Sequence, residues 1–223
     1  MEIRTTTCKP EHPEFLLRCG DEIPESFAIW LRDTLASAVN GGERFAPGQT
    51  YQVGWMTTRV APGPDQTLTL HEPDMRSMPV QWVESVAQTL RHLMLHRFTA
   101  ESVGLGEQLD FPKISQTCLV CKEISRASTT SGLILSRFPA DGAGDSGWFV
   151  GCLDESHDHN VLENLARITL YELVRGLPEL VSFLALPEGC EVVLQVDKRP
   201  AFFFEDEQMP IVAGSYVDQL FSV

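Results

Sequence analysis

The stretch WFVGCL, residues 148–153, is the feature that most constrains the fold of this 223-residue chain. Its apolar residues are close to continuous, which is typical of a strand covered on both faces in the middle of a sheet. Asp145-Ser146-Gly147 precedes it and a charged loop, residues 154–160, follows it. We therefore predict a central, buried strand over residues 147–153, with Trp148 in the core and the charged loop mounted at the end of the strand.

Residues 1–110 are predicted to form an N-terminal α/β portion. Pro24, a one-sided apolar pattern and Asn40-Gly41-Gly42 are start and stop signals for a helix. Alternating apolar residues on either side of the turn APGPD predict a β-hairpin. The predicted elements are a helix over residues 25–39, a hairpin of residues 50–59 with TLTLHE (67–72), and a helix over residues 80–98, followed by a linker at residues 99–112.

Residues 111–223 are predicted to form a second portion, in which helices cover one face of a mainly antiparallel sheet. Its predicted elements are a hairpin of residues 116–124 with residues 132–138, the central strand, a helix over residues 161–174, a short helix after Pro178 and a strand over residues 190–196. The fold class predicted for the whole chain is α+β, with mainly antiparallel sheets, helices packed on one face and two α/β portions.

The formal net charge of −14 and the isoelectric point near 4.8 limit the kinds of partner. A surface this acidic repels phosphate backbones and anionic membranes, so we expect no nucleic acid and no membrane partner, whereas a basic protein is favoured. The first residues hold no apolar core of signal-peptide length, which predicts a cytoplasmic protein. Its six cysteines are then expected to be reduced thiols.

Two motifs that superficially match metal or redox sites are weak. Cys118 and Cys121 have the CxxC spacing, but they lie in a predicted strand, where an odd separation places side chains on opposite faces, and no second pair exists. His92 and His96 share a helical face, but Leu93 stands where the zinc-protease motif needs glutamate. We find no nucleophile elbow, phosphate loop or dinucleotide motif, and so predict no catalytic residue, no metal and no cofactor.

The charged loop allows three interpretations. Histidine and carboxylate side chains are the residue types of metal sites and acid–base pairs, so a metal-dependent hydrolase using His157 and His159 is one alternative. The second is contact with a protein partner. In the third the loop is solvated, with Asp158 or Asn160 capping the predicted helix that follows.

The chain from Cys118 to Glu191 resembles the immunity-protein domain numbered thirty-three among bacterial polymorphic-toxin systems, formerly a domain of unknown function. The residues that carry the resemblance are CLVCKEI, DSGWFVGCLDESHDHN, LENLARITLYELVRGLPELVSFLALP and GCEVV, in that order. PGQTYQVGWMTTRV and HEPD in the first half resemble the leader of longer members. This chain departs from the family pattern because no arginine follows Trp148, Cys152 stands where glycine and aspartate are common, and the charged loop contains histidines.

The resemblance implies a non-enzymatic protein that binds and neutralises a cognate toxin, often one delivered by a type VI secretion system. An acidic chain suits the basic cleft of a nuclease toxin. An adaptor or chaperone that loads an effector without blocking it is a further alternative, and a homodimer is left open. The predicted contact surface is the loop with Asp154, Glu155, His157, Asp158 and His159, with Asp141 and Asp145 expected nearby, and a second acidic patch of Glu205, Asp206 and Glu207.

Overall fold

The computed structural model describes residues 1–6, 8–9 and 11–221. The chain divides into two compact units, Met1–Met94 and Leu95–Val223. Helices are combined with mostly antiparallel sheets, which confirms the α+β class. The predicted linker, residues 99–112, begins in the last turn of a helix. A domain boundary near residue 110 stays a prediction.

The first unit holds a two-stranded and a four-stranded antiparallel sheet with one long helix. Its elements are β1 (Glu2–Arg4), β2 (Leu16–Arg18), α1 (Glu25–Gly41), β3 (Thr50–Val53), β4 (Met56–Pro62), β5 (Leu68–Pro73) and β6 (Trp82–Val83), and α2 (Ala87–Glu101) begins in this unit. Helix α1 confirms the first predicted helix. It ends where Gly42 adopts a left-handed φ of 109° and donates its N–H toward the last carbonyls of the helix.

Two predictions in this unit are wrong in detail. Residues 50–59 form two strands, because the chain turns at Gly54, whose φ is 58°, and buries Trp55. Helix α2 begins at Ala87 instead of residue 80, since Trp82 and Val83 pair with β5. The buried Glu72 carboxylate fixes that start by accepting hydrogen bonds from the N–H groups of Gln88 (3.1 Å) and Thr89 (2.6 Å).

The second unit is built on a seven-stranded sheet in the order β10-β7-β9-β8-β11-β12-β13. Its strands are β7 (Thr117–Cys121), β8 (Leu133–Arg137), β9 (Asp145–Cys152), β10 (Leu165–Thr169), β11 (Cys190–Leu194), β12 (Ala201–Phe204) and β13 (Glu207–Met209). Its helices are α3 (Ile124–Thr130), α4 (Leu170–Gly176) and α5 (Tyr216–Leu220), with short 3-10 helices at Gly106–Gln108, Leu162–Asn164 and Pro178–Phe183. Among these strands β7 and β9 pair in parallel, and the other neighbours are antiparallel.

Strand β9 is the buried central strand that the sequence predicts. It has a neighbour on each side, and Trp148 is 1% exposed, with its indole N–H donating to the Leu184 carbonyl at 3.0 Å. The predicted hairpin of β7 with β8 is wrong. The Ser/Thr-rich segment between them forms α3, and β9 lies between the two strands, because it has the longest apolar surface to cover on both sides.

The predicted helix over residues 161–174 is also wrong before Leu170, because residues 162–164 form a 3-10 helix and residues 165–169 form edge strand β10 against β7. The helix starts at Leu170 because Thr169 and Glu172 form a capping box: Glu172 N–H donates to Thr169 Oγ1 at 3.1 Å, and Thr169 N–H donates to Glu172 Oε2 at 2.8 Å. The helix cap expected from Asp158 or Asn160 is therefore at Thr169.

A buried arginine joins β8 to two neighbouring segments. Arg137 is 6% exposed, lies 5.6 Å above the Trp148 ring, and donates hydrogen bonds to the carbonyls of Asp110 and Leu186 and to the Asp110 carboxylate. Burial lowers the pKa of this guanidinium, and the charge of Asp110 opposes that shift.

Arg137→Met is expected to lower the local free energy of opening by about 2–3 kcal/mol, because it leaves buried carbonyls without their charged donor. Native-state hydrogen exchange of the β9 amides measures this value. Arg175→Met, at an exposed position of α4, is the matched control and is expected to change it by less than about 0.5 kcal/mol. Equal effects of Arg137→Met and Arg175→Met would contradict the role of Arg137 as the buried donor to these carbonyls.

Glu172 should titrate below the usual range of a glutamate, because hydrogen bonds from Thr169 lower its pKa. The ionised Glu172 side chain stabilises the folded protein. This stabilisation is present in full when the pH is above the ordinary pKa of a glutamate, and it is lost as the pH falls through the lowered pKa of Glu172. Thr169→Val should move the Glu172 pKa back toward its ordinary value in a carboxyl NMR titration, whereas Thr50→Val in the other unit should not. A Glu172 pKa that is unchanged by Thr169→Val would contradict the capping box.

Candidate functional site

The predicted contact residues lie at opposite ends of the seven-stranded sheet. The acidic loop, which we define as residues 154–163, follows the carboxyl end of β9, whereas Asp145 starts that strand. Seven residue steps along a strand span about 23 Å, so the expected proximity of Asp141 and Asp145 to the loop is wrong. Phe204 pairs with Cys190 of β11, and the next residue of β11, Glu191, pairs with Ser136 of β8. The residue after Ser136, Arg137, pairs with Trp148 of β9, so residues 205–207 lie at the Asp145 end.

The acidic loop is held by hydrogen bonds within it and to its flanks. Asp154 Oδ1 accepts from the N–H (3.0 Å) and hydroxyl (2.6 Å) of Ser156. Asp158 Oδ1 accepts from the backbone (2.8 Å) and side chain (2.9 Å) of Asn160, and these bonds hold the pKa of Asp158 below its usual range. Asn164 Nδ2 donates to the Asp158 carbonyl at 2.8 Å. Folding therefore organises residues 154–160 without helical structure.

Charged and apolar side chains are exposed together on this loop. Glu155, Asp158 and Glu163 are exposed, and next to them Leu162 is 78% exposed and Val161 40% exposed. His157 and His159, by contrast, are half-buried and point to the end of the sheet. The loop thus has an outer acidic and apolar surface and an inner pair of imidazoles.

The two imidazoles meet two thiols at the sheet end. His157 Nδ1 lies 3.0 Å from Cys121 Sγ and 3.2 Å from Cys152 Sγ, and His159 Nε2 lies 3.3 Å from Cys152 Sγ. All four ligand atoms lie within 4.8 Å of one another. We call Cys121, Cys152, His157 and His159 the Cys-His cluster; both cysteines are buried.

Strand pairing explains why the cysteines meet. Val120 of β7 is in register with Val150 of the parallel strand β9, so Cys121 and Cys152 stand at the same end of adjacent strands. Cys118 lies on the other side of β7, where its thiol donates to the Ile168 carbonyl at 3.6 Å. Cys118 and Cys121 therefore do not form a pair despite their CxxC spacing, which agrees with the prediction from the sequence. Cys121 belongs instead to the Cys-His cluster.

His159 is positioned by its neighbours on β9. Its ring packs edge-on against Phe149 with ring centroids 5.5 Å apart. A Cβ atom at Gly151 would lie 3.1 Å from the His159 ring and 2.8 Å from the Phe149 ring, so the glycine makes room for both. Burial lowers the pKa of His159 and raises that of Cys121.

The other histidine pair is engaged in packing. His92 Nδ1 accepts a hydrogen bond from the Trp55 indole at 3.0 Å, and burial lowers the pKa of His96 to about 3. These surroundings are those of core histidines.

Family comparison places the site in a known domain type. Residues 97–205 match the family model described as Imm33-like domain. This stretch of the chain is similar to the Imm33-like domain. The resemblance stated from the sequence is confirmed, and the domain is consistent with an immunity protein. The Imm33-like domain contains the acidic loop and all four members of the Cys-His cluster, whereas Asp206 and Glu207 lie just outside the matched residues.

No curated protein and no solved structure matches the chain. Among the described residues, no helix has the length and apolar character needed to cross a membrane.

Sequence reasoning missed both cysteines of the cluster. In the sequence, Cys121 stands out only through its CxxC spacing with Cys118, and Cys152 only as a departure from the family pattern. The available signal was the combination of a cysteine ending each of two apolar strands with an HxH loop directly after the second strand. It becomes decisive only when the two strands are known to be parallel neighbours.

Gly151→Ala is expected to displace the His159 ring while keeping the sheet, since the new methyl group contacts both aromatic rings. Long-range nitrogen–proton NMR spectra should show shifted His159 ring signals. Gly144→Ala, where a Cβ atom meets no atom within 4 Å, is the matched control. Unchanged His159 signals in Gly151→Ala would contradict this packing.

Proposed function

We propose that this protein is an immunity protein that binds a cognate bacterial toxin directly and neutralises it. The observation that carries the proposal is the Imm33-like domain over residues 97–205. Similarity to this domain and the lack of a catalytic motif in the sequence support a non-enzymatic role. The toxin is proposed to be a nuclease effector of a polymorphic-toxin or type VI secretion system.

Charge supports a basic partner. With a formal charge of −14, the chain attracts a protein whose cleft is built to hold nucleic acid. Complementary charge speeds the encounter of two proteins and disfavours wrong partners, and the effect weakens as salt is added. An acidic inhibitor can thereby occupy the surface that the nuclease offers to its substrate.

We assign the contact to the acidic loop. Protein interfaces combine an apolar centre with a polar rim, and Leu162 with Val161 can supply the centre while Glu155 and Glu163 supply the rim. Internal hydrogen bonds limit the conformational entropy that such a loop loses on binding. The predicted residues Asp141, Asp145, Glu205, Asp206 and Glu207 lie at the other end of the sheet and are assigned outside this contact.

The test uses the toxin encoded by the gene next to that of this protein. Leu162→Ala and the charge reversal Glu155→Lys/Glu163→Lys should each weaken the complex by at least about tenfold, because interface anchors cost about 2 kcal/mol or more when truncated. Glu205→Lys/Glu207→Lys changes the charge equally at the opposite end and should change Kd less than about twofold. Titration calorimetry at two salt concentrations gives these values.

Growth of cells that express both proteins provides the functional measurement. The wild-type protein should restore growth, and the acidic-loop variants should restore it less than the Glu205→Lys/Glu207→Lys control does. If no complex forms and growth is not restored, the immunity function is wrong. If the control and loop variants weaken the complex equally, the assignment to the loop is wrong.

A complex of this protein with the toxin would also form if the protein were an adaptor that loads the effector. An adaptor would bind the toxin and leave it active in vitro, whereas an immunity protein abolishes its activity at stoichiometric amounts. A nuclease assay of the purified complex separates the two.

A further inference from the structure

We propose that Cys121, Cys152, His157 and His159 form a zinc site that fastens the acidic loop to the end of the sheet. Thiolate sulfur and imidazole nitrogen are the ligands from which structural zinc sites are made, and two of each is a common set. The ligand atoms are Sγ of both cysteines, Nδ1 of His157 and Nε2 of His159. Zinc binding by these four residues does not require the toxin.

The geometry of the cluster fits a single ion. With zinc–sulfur and zinc–nitrogen bonds of about 2.3 and 2.0–2.1 Å, a tetrahedron has sulfur–nitrogen edges of about 3.6 Å and a sulfur–sulfur edge of about 3.8 Å. The three shortest sulfur–nitrogen distances are 3.0, 3.2 and 3.3 Å, and all four atoms lie within 4.8 Å of one another. Ligation therefore lengthens these three contacts by about 0.3–0.6 Å.

Hydrogen bonds alone account poorly for these contacts. His157 Nδ1 faces two sulfur atoms, and Cys152 Sγ faces two imidazoles. An imidazole nitrogen carries either one proton or one lone pair, so His157 Nδ1 cannot serve both sulfur atoms well. A cation at the centre engages all four atoms at once, and both thiol protons leave to solvent.

The supports of the ligands suit a structural ion. The two cysteines end adjacent parallel strands, and the buried sheet fixes their separation. Glu123 N–H donates to Cys121 Sγ at 3.3 Å, a contact of the kind that stabilises a metal-bound thiolate. Phe149 and Gly151 position the His159 ring. The strands thus provide two fixed ligands and the loop provides two that the ion holds in place.

Four protein ligands complete a tetrahedral zinc shell. A catalytic zinc keeps one position open for water, so this ligand set points to a structural role and against the metal-dependent hydrolase that the loop histidines suggest from sequence alone. The sequence-based expectation of no metal is accordingly replaced by one structural zinc ion. Its effect would be to restrain the exposed residues of the acidic loop.

The experiment uses the full chain, expressed in zinc-supplemented medium without a histidine tag and without any toxin. Elemental analysis should find about one zinc per chain. Cobalt(II) added to the metal-free, reduced protein should give the visible absorption of a tetrahedral ion and a sulfur-to-cobalt charge-transfer band, and zinc should displace it. A negative result in these zinc and cobalt measurements does not change the toxin-binding measurements. The zinc proposal and the immunity proposal are therefore tested separately.

Matched variants locate the ion. Cys121→Ala should weaken zinc binding by at least about 100-fold, a larger loss than outer-shell substitutions usually cause. Cys118→Ala removes a buried thiol three residues earlier on the same strand and should leave binding unchanged. His159→Asn, at a half-buried loop position, tests the site if Cys121→Ala does not fold, and His71→Asn is its control.

Three results would overturn the proposal. The first is zinc below about a tenth of an equivalent together with no cobalt band in the reduced protein. The second is a disulfide between Cys121 and Cys152 in protein purified under reducing conditions. The third is equal loss of binding in Cys118→Ala and Cys121→Ala, or in His71→Asn and His159→Asn.

Discussion

The parallel pairing of β7 with β9 is the constraint on which the candidate site depends. Parallel neighbours end at the same edge of a sheet, so Cys121 and Cys152 meet although they are far apart in sequence. Antiparallel pairing would place one of them at the Asp145 end. The pairing is possible because α3 and β8 carry the chain from one strand to the next, with β8 taking the other side of β9.

Burial makes that arrangement stiff. Trp148 on β9 is enclosed by the Leu184 carbonyl and the Arg137 guanidinium, and Arg137 in turn binds Asp110 and Leu186. Strand β9 therefore ends in a fixed position, and the acidic loop continues from a rigid support. A loop held in this way can present charged and apolar groups to a partner with little loss of entropy.

The opposite ends of the sheet differ in what they offer. Residues 205–207 and Asp145 give one end its negative charge, but Asp145 also accepts a hydrogen bond from Arg167. The other end joins exposed acidic residues to the strongly exposed Leu162 and to the Cys-His cluster beneath them. The Asp145 end also exposes an apolar side chain, because Phe138, whose N–H donates to the Gly147 carbonyl, is 58% exposed. Both ends therefore combine charge with an apolar group, and the acidic-loop end adds a set of metal-ligand side chains.

Local sequence signals were sufficient for some parts of the fold. Continuous apolar residues identified β9 and the core position of Trp148, and the Pro24 and Gly42 signals bounded α1. They failed where distant groups decide the structure. Glu72 sets the start of α2 from another strand, and the pairing of residues 165–169 with β7 overrides a helical pattern.

The candidate site shows the same limit. The charged loop and its histidines were visible in the sequence, but their sulfur partners were not, because only the strand order brings Cys121 to Cys152. Two of the departures from the family pattern, Cys152 and the loop histidines, supply three of the four members of the cluster. The features that looked like deviations are thus the ones that give this domain its own chemistry.

Diffraction from crystals of the full chain at the zinc absorption edge tests the central claim most directly. The account predicts one anomalous peak between the four side chains, about 2.3 Å from both sulfur atoms and about 2.0–2.1 Å from His157 Nδ1 and His159 Nε2. The acidic loop should be ordered around that peak. A crystal grown with zinc that shows no peak there, or a Cys121–Cys152 disulfide in its place, would contradict the account.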